Sequence, residues 1–379
     1  MGDILVLNSG SSSIKFALFA DDLSKKTNGS AVEIGGASSL VVDGVGKSLP
    51  LENHVSALEA IFQALGARGI DLSSLKAAAH RVVHGGQKLS APCRITPDVL
   101  AEIERCNPLA PLHNPHNLSA IYAMMEVAPD LPQCATFDTA FHTTNPEVAL
   151  RYAIPEELSD KGIRRYGFHG TSYAGLVQTL PEVSGKALPH RLLALHLGNG
   201  ASLCAIRDGK SVATTMGYSP LEGLTMGTRS GSVDPNVVLR IASEQGVERA
   251  SEILNGESGL LGLGGHSDMR TLHSQDTEQA RFAIDHFCYW AIRHSGSMVA
   301  AMGGLDGIAF TGGIGENDAD VRARILDGLQ WLGVEADIDA NKANSTSLHS
   351  AASRVPAWIV PAEEEWMIAR NALSVMETS

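Results

Sequence analysis

The sequence predicts a two-domain α/β protein, and three observations carry that expectation. Strand-like apolar runs alternate with helical patterns along 379 residues, as layered α/β packing requires. Two distant segments, ILVLNSGSSSIKFALF from Ile4 and LLALHLGNGASLCAIR from Leu192, share one design of strand, small-residue turn and strand, with Gly10 against Gly198. A third segment, GIAFTGGIGEN over residues 307–317, leaves an apolar run through paired glycines toward a helix.

Taken in order, strands are expected over residues 4–7 and 14–19, with Asn8 and the run Gly10-Ser11-Ser12-Ser13 between them. A helix is expected over 55–65. Further strands are expected over 192–197, 203–206 and 307–311. The pattern over 320–332 is helical, with Val321, Ile325, Leu329 and Leu332 on one face and Asn317 or Asp318 as its cap. The stretch HTTNPEVALRYAIPEEL has two prolines and no clean period, so a boundary belongs near it. The expected domains are residues 1–145 and 146–365, with a last helix, about 366–379, returning to the first.

Hydrophobic residues make up 44% and charged residues 19%, enough to build full cores. The 38 glycines cluster in a few loops, which points to specific backbone turns. A net charge of −13 argues against nucleic acid as a partner. A small anionic substrate stays open, because a site can be locally positive. The five cysteines are scattered with no C-x-x-C pair, which suits reduced thiols in the cytoplasm. No run reaches membrane-spanning length, so no membrane partner is expected. Gly2 is not a myristoylation signal, since Val6 stands where Ser or Thr is needed.

Several familiar signatures fail. DGVGKS, residues 43–48, lacks the P-loop's first glycine, for which Val41 stands. Ser12 and Lys15 fit S-x-x-K, but no S-D-N or K-T-G follows. His80 and His84 have helical metal spacing, which Gly85-Gly86 breaks.

Other features fit together. Asn8, Ser11, Ser12, Ser13 and Lys15 offer amides, hydroxyls and one cation to a phosphate, or else make a polar hairpin. The glycine loops at 198–200 and 312–317 can aim backbone N–H groups at an anion. Arg81 and Arg229 sit beside glycines, where a guanidinium has room to grip a carboxylate or phosphate. Asp138 follows an apolar run at a strand end, and His169 is flanked by Phe168 and Gly170. Three anion loops over two halves suggest a nucleotide held between two domains. The whole inventory suits phosphoryl transfer, where charge is positioned and neutralised.

NSGSSSIK, HRVVHGG, PLHNPHN, FDTAFH, YGFHGTS, HLGNGAS, MGYSPLEGLTMGTRSGSVDP, SDMR and FTGGIGEN follow one another along the chain. Together they closely resemble the acetokinase family of acetate, propionate and butyrate kinases. The resemblance implies an actin-like, sugar-kinase-like fold of two βββαβαβα domains. It implies a homodimer that transfers a phosphoryl group from ATP to acetate, giving acetyl phosphate and ADP, with magnesium or manganese.

Carried over by motif, Asn8 lies near the metal and Lys15, with Ser11–Ser13, near the phosphates. Arg81 and Arg229 hold the acetate carboxylate and the phosphoryl group, His169 hydrogen-bonds that group, and Asp138 is the catalytic aspartate. His196, Leu197, Gly198, Asn199 and Gly200 form a second phosphate loop. Asp268, Met269 and Arg270 hold adenosine, while Gly313, Ile314, Gly315, Glu316 and Asn317 close over the nucleotide. Val83, Leu112, Phe168 and Pro220 line a methyl pocket. The family's T-N-E-E stretch reads Ala362-Glu363-Glu364-Glu365 here, and Glu364 is aligned as the metal-linked glutamate. A usual S-S-D reads His266-Ser267-Asp268. Transfer is expected to be direct and in line. Acetate, with a pKa of about 4 to 5, is already ionised at pH 7, so it needs no general base.

Overall fold

Residues 2–378 are described by a computed structural model. The chain divides into two compact units, Met1–Phe141 with Glu363–Ser379, and His142–Ala362. These divisions fall a few residues before the positions read from composition. No helix among the described residues is long and apolar enough to cross a membrane.

The first unit is built on a sheet of eight strands: β1 (Asp3–Ser9), β2 (Ser13–Phe19), β3 (Lys25–Val32), β4 (Ser39–Val42), β5 (Val45–Ser48), β6 (Leu75–Val82), β7 (Cys93–Arg94) and β8 (Gln133–Phe137). Their order is β5-β4-β3-β2-β1-β6-β8-β7. The strands β1, β2 and β3 pair antiparallel, whereas β1, β6 and β8 run parallel. Side chains alternate between the faces of a strand, so residue parity decides what each face meets. Leu5, Leu7, Ile14, Phe16 and Leu18 pack with Leu58, Ile61, Ala123 and Met124, from the helices His54–Gly66 and Asn114–Val127. Ile4, Val6, Ala17, Phe19, Ala77 and Ala79 face the other way, onto Ile368, Ala369, Ala372 and Leu373 of the final helix, Glu364–Thr378.

The second unit holds β9 (Arg191–Leu197), β10 (Ala201–Arg207), β11 (Lys210–Thr214), β12 (Gly307–Thr311) and β13 (Ala357–Ile359), ordered β11-β10-β9-β12-β13. Again an antiparallel arm, β9-β10-β11, joins a parallel arm, β9-β12-β13. Both sheets thus set three antiparallel strands beside two parallel ones, β3-β2-β1-β6-β8 in the first and β11-β10-β9-β12-β13 in the second. This repeat of the βββαβαβα plan is the actin-like fold. The two segments that share a design in the sequence are the first hairpins of the two sheets, β1–β2 and β9–β10.

The expected helix over 320–332 is shorter. It runs Ala319–Gly328 and continues as the 3-10 turn Gln330–Leu332. Gly328 lies against Ile292, leaving no room for a side chain, and Gly333 ends the turn at a left-handed φ of 95°. Asp318 caps the helix by accepting the Val321 N–H at 3.0 Å.

Candidate active site

In the first unit, parity also gathers the charged residues. Asn8 and Lys15 are directly opposed in the β1–β2 ladder and lie on the face that the final helix covers. Arg81 in β6 has the parity of Ala77 and Ala79, so it shares that face. Asp138 follows β8 and closes the group. Arg81 donates from Nε and Nη2 to Asp138 Oδ2, at 3.0 and 2.6 Å, and from Nε to Oδ1 at 3.2 Å. The Asp138 side chain is 2% exposed. Burial works against the Arg81 cation, but the Asp138 and Glu364 carboxylates outweigh it and push the guanidinium above its ordinary pKa. The aspartate therefore holds an arginine, and both its oxygens are engaged in doing so.

Glu364 opens the final helix, and its carboxylate lies 3.7 Å from Arg81 Nη1. Its neighbour Glu365 pairs instead with Lys25, at 3.3 Å. Of the two, Glu364 is the one that reaches Arg81. Among the described residues, no cluster of three or more His, Cys, Asp or Glu could hold a metal. Magnesium does not need such a cage. It keeps several waters and takes one or two carboxylates plus substrate phosphates, a donor set that Asn8 and Glu364 fit.

Apart from Leu112, the PLHNPHN motif had no assigned task in the sequence. It clamps the strand ends. Asn117 accepts the Val83 N–H at 3.1 Å and donates to the Ser9 carbonyl at 2.9 Å. Asn114 accepts the His84 N–H at 3.0 Å and donates to the His84 carbonyl at 2.9 Å. The serine turn is pinned too: Gly10 donates to the Ser13 carbonyl at 2.8 Å, and the His54 ring meets the Gly10 carbonyl at 3.0 Å. Ser11 and Ser12 are left exposed.

In the second unit, His169 begins the helix Gly170–Ser184 in a left-handed conformation, φ 57°. Such backbone costs energy in a non-glycine residue and needs firm surroundings. They are present. His169 Nδ1 bonds Ser202 Oγ at 2.9 Å, and Tyr173 OH bonds the same oxygen at 2.6 Å. The His169 ring stacks on His196 with centroids 4.1 Å apart, and His196 Nδ1 bonds Ser172 Oγ at 2.8 Å. His196 thus supports His169. Arg229 donates from Nη1 to the Pro220 carbonyl at 2.7 Å. A Cβ placed on Gly200 would lie 3.2 Å from His169 Nε2 and 3.4 Å from Arg229 Nη2. Two donors therefore converge on this glycine turn.

Beside it lies a cavity of about 740 Å³. Gly198 and Asn199, Asp268 to Arg270, and Gly313, Ile314 and Asn317 line it, bringing together three loops that the sequence keeps far apart. Ser267 of the SDMR motif and Asp318, the helix cap, also line it, with His273 and Ala319, which carried no signal. Asp268 caps the helix Met269–Ser274, and its hydrogen bonds with Arg270 lower its pKa to about 2. Leu197, Gly200, Gly315 and Glu316 are outside this lining. Glu316 turns inward and accepts the N–H groups of Gly312 and Ala362, both at 3.0 Å. It braces the loop. Arg322, fully buried, donates to the Gly315 carbonyl at 3.0 Å from beneath.

Of the four residues expected to line a methyl pocket, Val83 and Leu112 belong to the first unit, and Phe168 and Pro220 to the second. Leu112 is 59% exposed, whereas Phe168 is buried.

Residues 3–370 match the Acetokinase family. The acetate kinase of Methylocella silvestris is 42% identical over 397 residues, covering 99% of this chain and 98% of that protein. The acetate kinase of Rhodopseudomonas palustris is 44% identical over 390 residues, covering 98% of each. A propionate kinase structure from Francisella tularensis superposes with a TM-score of 0.93 at 38% identity, over 98% of this chain and 99% of that one. The acetate kinase of Porphyromonas gingivalis gives 0.92 at 36%, over 99% and 100%. With this match along nearly its whole length, the chain belongs to the acetokinase family.

Proposed function

We propose that this protein is an acetate kinase, transferring a phosphoryl group reversibly between ATP and acetate to make acetyl phosphate and ADP. The observation that carries this reading is the convergence of His169 and Arg229 on the Gly200 turn, beside a cavity of nucleotide size. Asp268, Met269 and Arg270 receive the adenosine, and the glycine turns at 198 and 313 receive phosphates through N–H groups. Lys15 adds a point charge. Arg229 and His169 donate to the phosphoryl group as it passes, where fixed donors lower the barrier most. Arg81 holds the acetate carboxylate, with Asp138 fixing its angle. Val83, Leu112, Phe168 and Pro220 meet the methyl group. Asn8 and Glu364 would hold magnesium, which would supply positive charge against the phosphates.

Acetate, propionate or butyrate is incubated with ATP, magnesium and the protein, and acyl phosphate is trapped as hydroxamate. Acetate should give the fastest product. Faster product from propionate would move the reading to a propionate kinase, a relative already seen among similar structures. ATP binding without product from any acid would favour a nucleotide switch. Omitting magnesium should abolish turnover.

The proposal extends to a cytoplasmic homodimer. Phe282 and Tyr289, 55% and 61% exposed on the helix Glu278–Met302, are apolar surface that a second copy would cover. Sedimentation as a single 40.0 kDa species would remove that part.

A further inference from the structure

Behind the Arg229 segment lies a polar cluster that no motif accounts for. Tyr152, Arg165 and Glu222 come from three separate stretches. Glu222 accepts from the Tyr152 hydroxyl at 2.6 Å and from Arg165 Nη1. The Arg165 guanidinium carbon lies 4.5 Å from the centroid of the Tyr152 ring. The Tyr152 oxygen accepts the Tyr218 N–H at 3.0 Å. Two more bonds join the same stretches, from the N–H groups of Tyr166 and Gly167 to the Gly217 carbonyl, at 3.0 and 3.2 Å. Gly217 has no room for a side chain, since a Cβ there would run into the Glu222 carboxylate and the Tyr152 oxygen.

This cluster joins the supports of the two converging donors. On one side, Arg165 stands four residues before His169. On the other, Glu222 stands two residues after Pro220, whose carbonyl holds Arg229. A shift of Glu222 would move the Pro220 carbonyl and so the guanidinium. A shift of Arg165 would move the strained approach to His169. The Arg165 and Glu222 side chains are 32% and 30% exposed, so their charge attraction contributes little to stability. What the arrangement fixes is relative position.

We propose that Tyr152, Arg165 and Glu222 are positioning residues that set the Arg229 guanidinium against His169 for the phosphoryl group. The inference rests on the kinase reading above. Misplacing a catalytic group by about 1 Å can cost on the order of a hundredfold in rate, so the effect should appear in kcat.

The test uses the full chain, measuring kcat and KM for ATP and for acetate in Glu222→Gln, Tyr152→Phe, Arg229→Ala and the double variant Glu222→Gln/Arg229→Ala. Glu222→Gln keeps an acceptor for Tyr152 but removes the charge that Arg165 meets. Its kcat should fall about 10- to 100-fold, with KM for ATP within about twofold and the melting temperature nearly unchanged. Added to Arg229→Ala, it should lower kcat less than about twofold further, because groups acting through one another are not additive. Full multiplication of the two losses would overturn the proposal. So would unchanged kcat in both single variants. If Glu222→Gln does not fold, Tyr152→Phe removes one hydroxyl and is read alone and on Arg229→Ala in the same way. Wild-type hydroxamate is the control. Its absence sinks the kinase reading itself, whereas product from wild type with indifferent variants sinks only this inference.

Discussion

The two sheets repeat one strand order but bring different chemistry to their strand ends. In the first unit the ends carry charge: Lys15, Arg81, Asp138 and Glu364, with Arg81 clasped between carboxylates. In the second they carry glycine turns, and the arginine there is held by a carbonyl. Parallel strands leave their C-terminal ends as the natural place for ligands. What differs is the partner of each arginine. A carboxylate partner orients a cation and offsets its charge, whereas the Pro220 carbonyl is one of the contacts that orient Arg229. The first arrangement suits gripping an acid, and the second suits meeting a phosphoryl group as its charge spreads.

The sharpest way to break this comparison is to remove each arginine. Arg81→Ala and Arg229→Ala should each lower kcat by about a thousandfold or more, the scale expected for arginines acting on transferring phosphate. Their stabilities should differ. Arg81→Ala leaves Asp138 buried with its cation gone, a loss of about 3–5 kcal/mol. Arg229→Ala gives up, among its contacts, a bond to a carbonyl, worth about 1 kcal/mol. Urea melts of the two variants measure this, and equal losses would erase the distinction drawn here.

Acid should strike the first unit next. His80 and His84 are buried, and burial lowers both rings from about 6.5 to about 4. The unfolded chain then binds protons that the folded chain refuses. Stability from these rings is intact above pH 6.5 and is lost as pH falls from 6.5 toward 4. The loss is about 2 kcal/mol per ring at pH 5. Melts at pH 7 and pH 5 would show it, and His80→Gln should flatten the dependence by about half.

A smaller effect tests the second unit's cavity. Asp268→Asn keeps a helix cap but removes the charge. It should raise KM for ATP about tenfold, equivalent to ~1.4 kcal/mol, and leave KM for acetate unchanged. A matching rise for acetate would mean that the cavity is not the nucleotide's alone. Smallest is Val83→Ala. Opening the pocket by two methyl groups should shift preference from acetate toward propionate roughly fivefold, near 1 kcal/mol, in a chain-length series.

Much of this was legible because it is local. The hairpin over β1 and β2 follows from apolar runs around a small-residue turn, and Asp138 announces itself by ending one. The role of Glu316 was not legible. The motif places it in a glycine loop, but its carboxylate turns inward to backbone 46 residues away. Asn117 reaches a carbonyl 108 residues away, and no pattern within a window contains such a pair. The Tyr152, Arg165 and Glu222 cluster was hidden for the same reason. Glu222 sits in a recognised motif, but nothing ties it to Tyr152 and Arg165 until the fold brings the three together.

The final helix has a consequence for how the protein is made. Ile4, Val6, Ala17 and Phe19 are synthesised long before their cover, Ile368 to Leu373. At about 5–20 residues per second, the intervening 349 residues take roughly 17–70 s to appear. The second unit is one unbroken segment and can finish folding within that interval. The first cannot close its core until residues 368–373 have been made, so until then one face of its central sheet remains a surface for chaperones to shield.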